Sequence, residues 1–235
     1  LTTSCTAALE MAAILIDIKP GDEVIIPSYT FVSTANAFVL RGAIPIFIDV
    51  YENSLNINVE KIEGAITKKT KAIVPVHYAG SSCEMGKIKE IANKYGLYII
   101  EDAAQCIMSF HNGKHIGSIG DLSTFSFHQT KNISCGEGGA LAINNPNLLD
   151  RAEIIREKGT NRSQYLRKQT NLYTWMDIGS SYLPSDINAA FLWAQLEDSK
   201  FITAKRLKVW KTYKESFSAI EKEGLIKVQA VSSNQ

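Results

Sequence analysis

The sequence predicts an α/β fold, a mostly parallel sheet flanked by helices, on two observations. Short apolar runs at residues 23–27, 44–50, 72–76 and 97–100 alternate with stretches of helical character, which is how βαβ units look in sequence. A carboxylate pair, Glu101-Asp102, follows directly on the last of these runs, and in such sheets ligand-facing groups gather at the carboxyl ends of strands.

Taken in order, residues 1–16 start with small hydroxyl side chains and continue as an alanine-rich apolar helix. Ser4 or Thr6 supplies its cap, and the free amides at its start suit an anion. Pro20-Gly21-Asp22 makes a turn into the strand at 23–27. Residues 31–40 form a helix with Tyr29 and Phe31 near its entrance, and 44–50 a strand with Asp49 near its end. Residues 55–66 hold a charged helix around Val59-Glu60-Lys61-Ile62-Glu63, followed by the strand at 72–76. After His77-Tyr78-Ala79-Gly80 a helix runs through Lys94 to the strand at 97–100, and two more strand-like pieces lie at 124–127 and 140–143. The character changes from Leu148. A charged helix covers 149–158 and a polar stretch rich in Arg, Tyr and Asn covers 159–184. An amphipathic segment at 186–197 and a long Lys-rich helix at 201–223 complete the chain. No internal repeat or low-complexity linker interrupts it.

At 235 residues the chain can bury one substantial core. Twenty-five Lys and Arg against 24 Asp and Glu leave a net charge of +1, which gives no electrostatic reason to expect nucleic acid or a membrane surface. No apolar run approaches the length of a membrane span. Cys5, Cys83, Cys106 and Cys135 are scattered with no C-x-x-C pair, so a reduced, cytoplasmic protein is the simpler expectation. The chain opens without methionine and already inside a motif, so both ends are expected to be missing.

The chemistry centres on residues 125–139, Phe-Ser-Phe-His-Gln-Thr-Lys-Asn-Ile-Ser-Cys-Gly-Glu-Gly-Gly. Lys131 stands five residues after the Ser126 hydroxyl, among apolar and small neighbours. A partly desolvated lysine favours the neutral, nucleophilic amine, which forms Schiff bases with aldehydes such as that of pyridoxal phosphate. Asp102 at a strand end could instead serve Mg²⁺ in a nucleotide hydrolase. That use needs a Gly-x-x-x-x-Gly-Lys-Ser/Thr loop, which the chain lacks. A buried carboxylate can also pair with a protonated pyridine nitrogen. On this reading Lys131 holds the aldehyde carbon, Asp102 the ring nitrogen and the helix start at residues 4–7 the phosphate, with Phe31 either stacked on the ring or simply a core aromatic.

Four stretches together resemble the DegT/StrS family of pyridoxal-phosphate-dependent sugar aminotransferases. They are Ser4-Cys5-Thr6-Ala7-Ala8-Leu9, residues 21–31, Glu101-Asp102-Ala103-Ala104-Gln105, and Phe125-Ser126-Phe127-His128-Gln129-Thr130-Lys131 with Gly136-Glu137-Gly138-Gly139. The resemblance spans residues 1 to about 197 and implies the type I aminotransferase fold. It implies that residues 1–197 are the cofactor-binding large domain. Residues 198–235 would be a helical segment leading towards a C-terminal small domain that is largely missing. It also implies Lys131 as the Schiff-base lysine, Asp102 as the ring-nitrogen partner, Gln105 beside the phenolic oxygen and Phe31 on the ring face. Ser126, Cys5 and Thr6 would bind the phosphate. Two departures stand out. Many relatives have glycine or alanine at Cys5, so the bulkier thiol must turn away from the phosphate. Many carry asparagine at Ser181, which reaches the partner subunit's phosphate in a homodimer. The implied reaction moves an amino group from L-glutamate to a dTDP-linked 4-keto-6-deoxyhexose. A sensor or dimerisation domain could have lost Lys131, and related sugar dehydratases carry histidine there, so the lysine separates the aminotransferase from both.

Overall fold

A computed structural model describes residues 1–229. The last six residues of the predicted 198–235 segment lie outside the described residues. Helix α1 (Cys5–Leu15) follows Ser4, whose hydroxyl accepts a hydrogen bond from the Ala7 amide at 3.0 Å. Its alanines, Leu9, Met11, Ile14 and Leu15 are buried. A helix apolar on nearly every side is a core helix, and α1 lies between the helices at 32–39 and 149–156 and the strands at 122–126 and 139–143. Strand β1 (Glu23–Pro27), helix α2 (Val32–Val39) and strand β2 (Ile44–Ile48) come next. The charged helix expected at 55–66 is two 3-10 turns, Val59–Lys61 and Glu63–Ala65. Val59 and Ile62 are buried there, a spacing of three that one tight turn satisfies.

Strand β3 (Thr70–Ile73), helix α3 (Met85–Tyr95) and strand β4 (Tyr98–Asp102) follow. The short hairpin β5 (Phe110–His111) and β6 (Lys114–His115) lies between β4 and strand β7 (Leu122–Ser126), which leads to β8 (Gly139–Ile143). The main sheet has six strands in the order β2-β1-β3-β4-β7-β8. All its neighbours are parallel except β7 and β8. The sheet is therefore mostly parallel, as predicted, with one antiparallel edge strand. Chain order reverses between β1 and β3. The loops beyond their carboxyl ends meet there, with Tyr29 and Tyr78 ring centroids 4.8 Å apart and hydroxyls 3.1 Å apart.

Helix α4 (Leu149–Arg156) packs on α1. The polar stretch at 159–184 contains the short helix α5 (Arg162–Leu166) and is pinned by bridges between Thr160 and Trp175 and between Glu157 and Ser181. Helices α6 (Asp186–Glu197) and α7 (Ser199–Lys222) complete the described chain. In α6 only Leu192 is buried. No helix among the described residues is long and apolar enough to cross a membrane.

Candidate active site

Sequence places hydroxyl residues immediately before an apolar helix, and the fold turns that arrangement into an anion cradle. In α1, the Ser4 hydroxyl and carbonyl take the Ala7 and Ala8 amides. Helix geometry leaves the Cys5 and Thr6 amides without an intrahelical acceptor. The third side of the cradle comes from β7 and β8. Ser126, at the carboxyl end of β7 and buried, is in register with Gly139. A Cβ on Gly139 would land on the Ser4 carbonyl carbon and the Cys5 nitrogen. The glycine run that closes the sequence motif is thus what lets the helix start approach Ser126.

Asp102, the last residue of β4, is buried, and two donors orient its carboxylate. The Thr34 hydroxyl donates to Oδ2 at 2.7 Å and the Ala104 amide to Oδ1 at 3.1 Å. Burial pushes this carboxyl above its ordinary range, against the Thr34 hydroxyl, the Ala104 amide and the charges of His77 and Lys131. Lys131 is half-buried in the loop between β7 and β8, where its amide donates to the His128 carbonyl at 2.9 Å. The same loop is anchored by Phe127 and Ile133, which pack with Leu192.

Cys5 shares this electrostatic neighbourhood. Burial pushes its thiol well up, Asp102 adds to that, and a hydrogen bond with Thr124 and the charge of Lys131 oppose it. The side chain is partly buried and packs against the core cluster. Thr6 donates to the Ser33 hydroxyl at 2.8 Å. Phe31 is not a core aromatic: it is 74% exposed at the N-cap of α2. Gln105 is exposed, and its Oε1 accepts from the Ala79 amide at 2.6 Å. Ser181 is exposed on the strand-like segment beside Glu157, away from the Asp102 cluster in chain order and held by the α4 end. The structure thus gathers Cys5, Thr6, Asp102, Ser126 and Lys131 at one end of the sheet. Phe31 and Gln105 lie on loops at the same edge.

Two contributors escaped the sequence reading. Glu101 precedes Asp102 on β4, and strand alternation sends the two side chains to opposite faces. Its carboxylate accepts from Gly117, Ile119 and Gly120 amides at 3.1, 2.8 and 2.6 Å, the Ser123 hydroxyl at 3.2 Å and His77 Nε2 at 2.9 Å. The Cys83 amide points at His77 Nδ1 at 3.1 Å, which leaves that nitrogen an acceptor and puts the ring proton on Nε2. Burial works against the Glu101 charge, but His77 and the Gly120 and Ile119 amides hold its carboxyl down at about 2. The second is the first turn of α2. Its N-cap, Phe31, makes no side-chain capping bond, although hydroxyls stand at 30, 33 and 34. Ser33 and Thr34 instead reach α1 and β4. A helix that forgoes a cap worth about 1 kcal/mol is a local rule broken where function is expected.

The arginines of the polar stretch are engaged within the chain. Arg167 pairs with Glu153 at 2.9 Å and Arg162 with Glu157 at 3.2 Å. Arg156, just before the stretch, is the least committed, 3.8 Å from Glu157 with its Nε unpartnered. Among the described residues no three His, Cys, Asp or Glu side chains gather as metal ligands. The donor set of an anion cradle, an oriented buried carboxylate and a half-buried amine fits a phosphorylated pyridine aldehyde.

The sequence model of the DegT/DnrJ/EryC1/StrS aminotransferase family matches residues 1–235. The Methanocaldococcus jannaschii protein MJ1066 is 42% identical over 226 residues, 95% of this chain and 58% of its own length. The spore coat polysaccharide biosynthesis protein SpsC of Bacillus subtilis is 39% identical over 220 residues, 92% of this chain and 57% of its own. The chain thus spans less than three fifths of these relatives. The solved aminotransferase from Psychrobacter cryohalolentis superposes with a TM-score of 0.91 at 33% identity, over 97% of this chain and 59% of that one. Spr1654 from Streptococcus pneumoniae, assigned as a sugar aminotransferase, superposes in its PLP form with a TM-score of 0.83 at 26% identity, over 92% of this chain and 59% of that one.

Proposed function

The chain belongs to the DegT/DnrJ/EryC1/StrS aminotransferase family, and from that membership we propose that it forms the cofactor-binding part of a pyridoxal-phosphate-dependent transaminase of nucleotide-linked keto sugars. The observation that carries this reading is the close approach of the α1 start to Gly139, in register with Ser126, beside an Asp102 carboxylate oriented by Thr34 and Ala104. Spr1654, with the same fold, exists in PLP and PMP forms. When bound, the cofactor supplies an aldehyde for amine exchange and an electron sink for the resulting carbanion.

The chain's residues do the rest. The Cys5 and Thr6 amides and the Ser126 hydroxyl bind the phosphate. Asp102, kept anionic by Thr34 and Ala104, holds the proton on the ring nitrogen. Phe31, exposed at the mouth of α2, covers the ring and excludes water. Gln105, with its Oε1 occupied by Ala79, has its amide protons free for an oxygen acceptor. Lys131 Nζ would hold the cofactor's aldehyde carbon and, once displaced from it by the donor's amine, would be the free base that moves a proton on the substrate carbon.

For the substrate, the stretches at 159–164 and 177–183 look most like dTDP-4-amino-4,6-dideoxygalactose transaminase, so dTDP-4-dehydro-6-deoxyglucose with L-glutamate is the pair proposed. The polysaccharide role named for SpsC favours a second reading, another nucleotide-sugar aminotransferase of surface polysaccharide synthesis. The working form proposed is a cytoplasmic homodimer in which Ser181 lies by the partner's phosphate. Borohydride reduction of the protein with pyridoxal phosphate, followed by peptide mapping, should leave a pyridoxyl adduct on Lys131, and label on another lysine would sink the assignment. Lys131→Ala should keep phosphate-dependent cofactor binding and lose transamination.

A further inference from the structure

The first turn of α2 makes three polar contacts that no local rule requires. Thr6 of α1 donates to Ser33 at 2.8 Å, Thr34 donates to Asp102 Oδ2 at 2.7 Å, and the Thr30 and Thr34 hydroxyls are 2.8 Å apart. Thr34 is 1% exposed. Its one proton is committed to Asp102, so Thr30 must be the donor to Thr34. The three groups form a directed chain, from the Thr30 hydroxyl through the Thr34 hydroxyl to the carboxylate, in which each bond polarises the next. Such a chain favours the anion, because a protonated Asp102 would compete as a donor.

We propose that Thr34 is a positioning residue for the ring-nitrogen partner: the Thr30–Thr34 chain fixes the plane and the anionic state of Asp102. Through Ser33 the same turn sets that carboxylate at a constant distance from the phosphate cradle on α1. The proposal rests on the reading of Asp102 given above. Two donors from different elements, Thr34 of α2 and the Ala104 amide, hold the two carboxylate oxygens. Rotation of the carboxylate about its Cβ–Cγ bond would break one or both. The other titratable groups around Asp102 are Cys5 on α1, His77 after β3, Cys106 after β4 and Lys131 after β7. Of these, Lys131 brings a positive charge, and so does His77 when its ring is protonated. The Thr34 hydroxyl and the Ala104 amide are the donors that act on the carboxylate oxygens directly.

The test uses the full chain and measures pyridoxal phosphate affinity by equilibrium titration across pH. A valine at 34 keeps the shape and removes the donor. Loss of a hydrogen bond to a charged group in Thr34→Val should weaken affinity at neutral pH roughly tenfold or more. The acid limb of the affinity profile should move to higher pH. Thr34→Ser should restore both, and Thr30→Val should show the same direction with a smaller, severalfold, loss. Inorganic phosphate, which needs only the α1 cradle, should bind all of them as it binds the parent. Unchanged affinity and pH profile in Thr34→Val, with Asp102→Asn strongly weakened, would overturn the proposal and leave the reading of Asp102 standing. Unchanged affinity in Asp102→Asn would overturn that reading itself. If Thr34→Val does not fold, Thr30→Val decides, since its hydroxyl is only partly buried and its loss leaves Asp102 bonded: a parental acid limb there sinks the chain.

Discussion

The end of the molecule that holds the site and the helical end that follows it treat their apolar and polar groups in opposite ways. In the first, α1 buries side chains on nearly every face, and the charged groups of β4 are matched donor by donor. In the second, the 24-residue α7 buries only Ser199, and Ile187, Phe191 and Trp193 of α6 are 82, 57 and 67% exposed. The first region is stabilised by its own tertiary contacts. The second is held mainly by helix hydrogen bonds, and its large apolar side chains are left exposed among the described residues. The contrast predicts large effects for small changes near β4 and small ones for large changes on α6.

The largest effect should come from Glu101→Gln. The substitution turns an amide NH₂ towards backbone donors that now meet a carboxylate, and leaving buried donors unmatched costs about 1–3 kcal/mol each. A total loss of about 4 kcal/mol in a urea melt is expected. The parent should also show an acid limb. The Glu101 carboxyl is held at about 2 in the fold against 4.5 in an unfolded chain. Its contribution is therefore complete above the unfolded value and lost as pH falls from there towards 2, by about 3 kcal/mol. In Glu101→Gln that part of the acid limb should vanish. An unchanged limb would place the acid sensitivity elsewhere.

Next in size is Gly139→Ala. The added Cβ meets backbone atoms of Ser4 and Cys5, which cannot swing aside as a side chain can. Overpacking of this kind costs about 1–3 kcal/mol. Because the displaced atoms belong to the anion cradle, phosphate affinity should fall together with the melting temperature. A stability loss with parental phosphate affinity would show that β8 yields instead of α1.

How much of this was legible follows the same division. The strand at 23–27 and the helix after Ser4 were readable because burial and local pattern agree there. The family motifs carried Lys131 and Asp102. Glu101 was visible in the same dipeptide, and strand alternation could have separated its structural part from that of its neighbour. Thr34 gave no signal, because a threonine on a helix says nothing about a carboxylate 68 residues away. The antiparallel pairing of β8 was hidden as well, since an apolar run carries no direction. In 159–184, the folds at Thr160–Trp175 and Glu157–Ser181 depend on single bridges and close glycines that no periodicity encodes.

A smaller effect is expected at the surface of the second region. Arg167→Ala removes the pair with Glu153, both side chains being part-exposed. Exposed pairs contribute little and are screened by salt. The melt should shift by less than a degree or two, and less still in high salt. A loss as large as that of Gly139→Ala would mean that the polar stretch is a cooperative part of the fold and not a strap laid over it.

The smallest effect on folding should come from Trp193→Ser. A residue 67% exposed has little apolar area to lose on unfolding, and surface substitutions of this kind usually change stability by less than about 0.5 kcal/mol. Yet Ile187, Phe191 and Trp193 of α6 and Phe201 of α7 are all exposed, and large exposed apolar surface marks interaction sites. If α6 lies in the homodimer proposed above, Trp193→Ser should leave the denaturant midpoint at low protein concentration unchanged and raise the dimer dissociation constant measured by sedimentation. Parental dissociation would place the interface elsewhere. A large drop in the low-concentration midpoint would show that this face is already covered within the chain, and the contrast between the two regions would fail at the residue where it is sharpest.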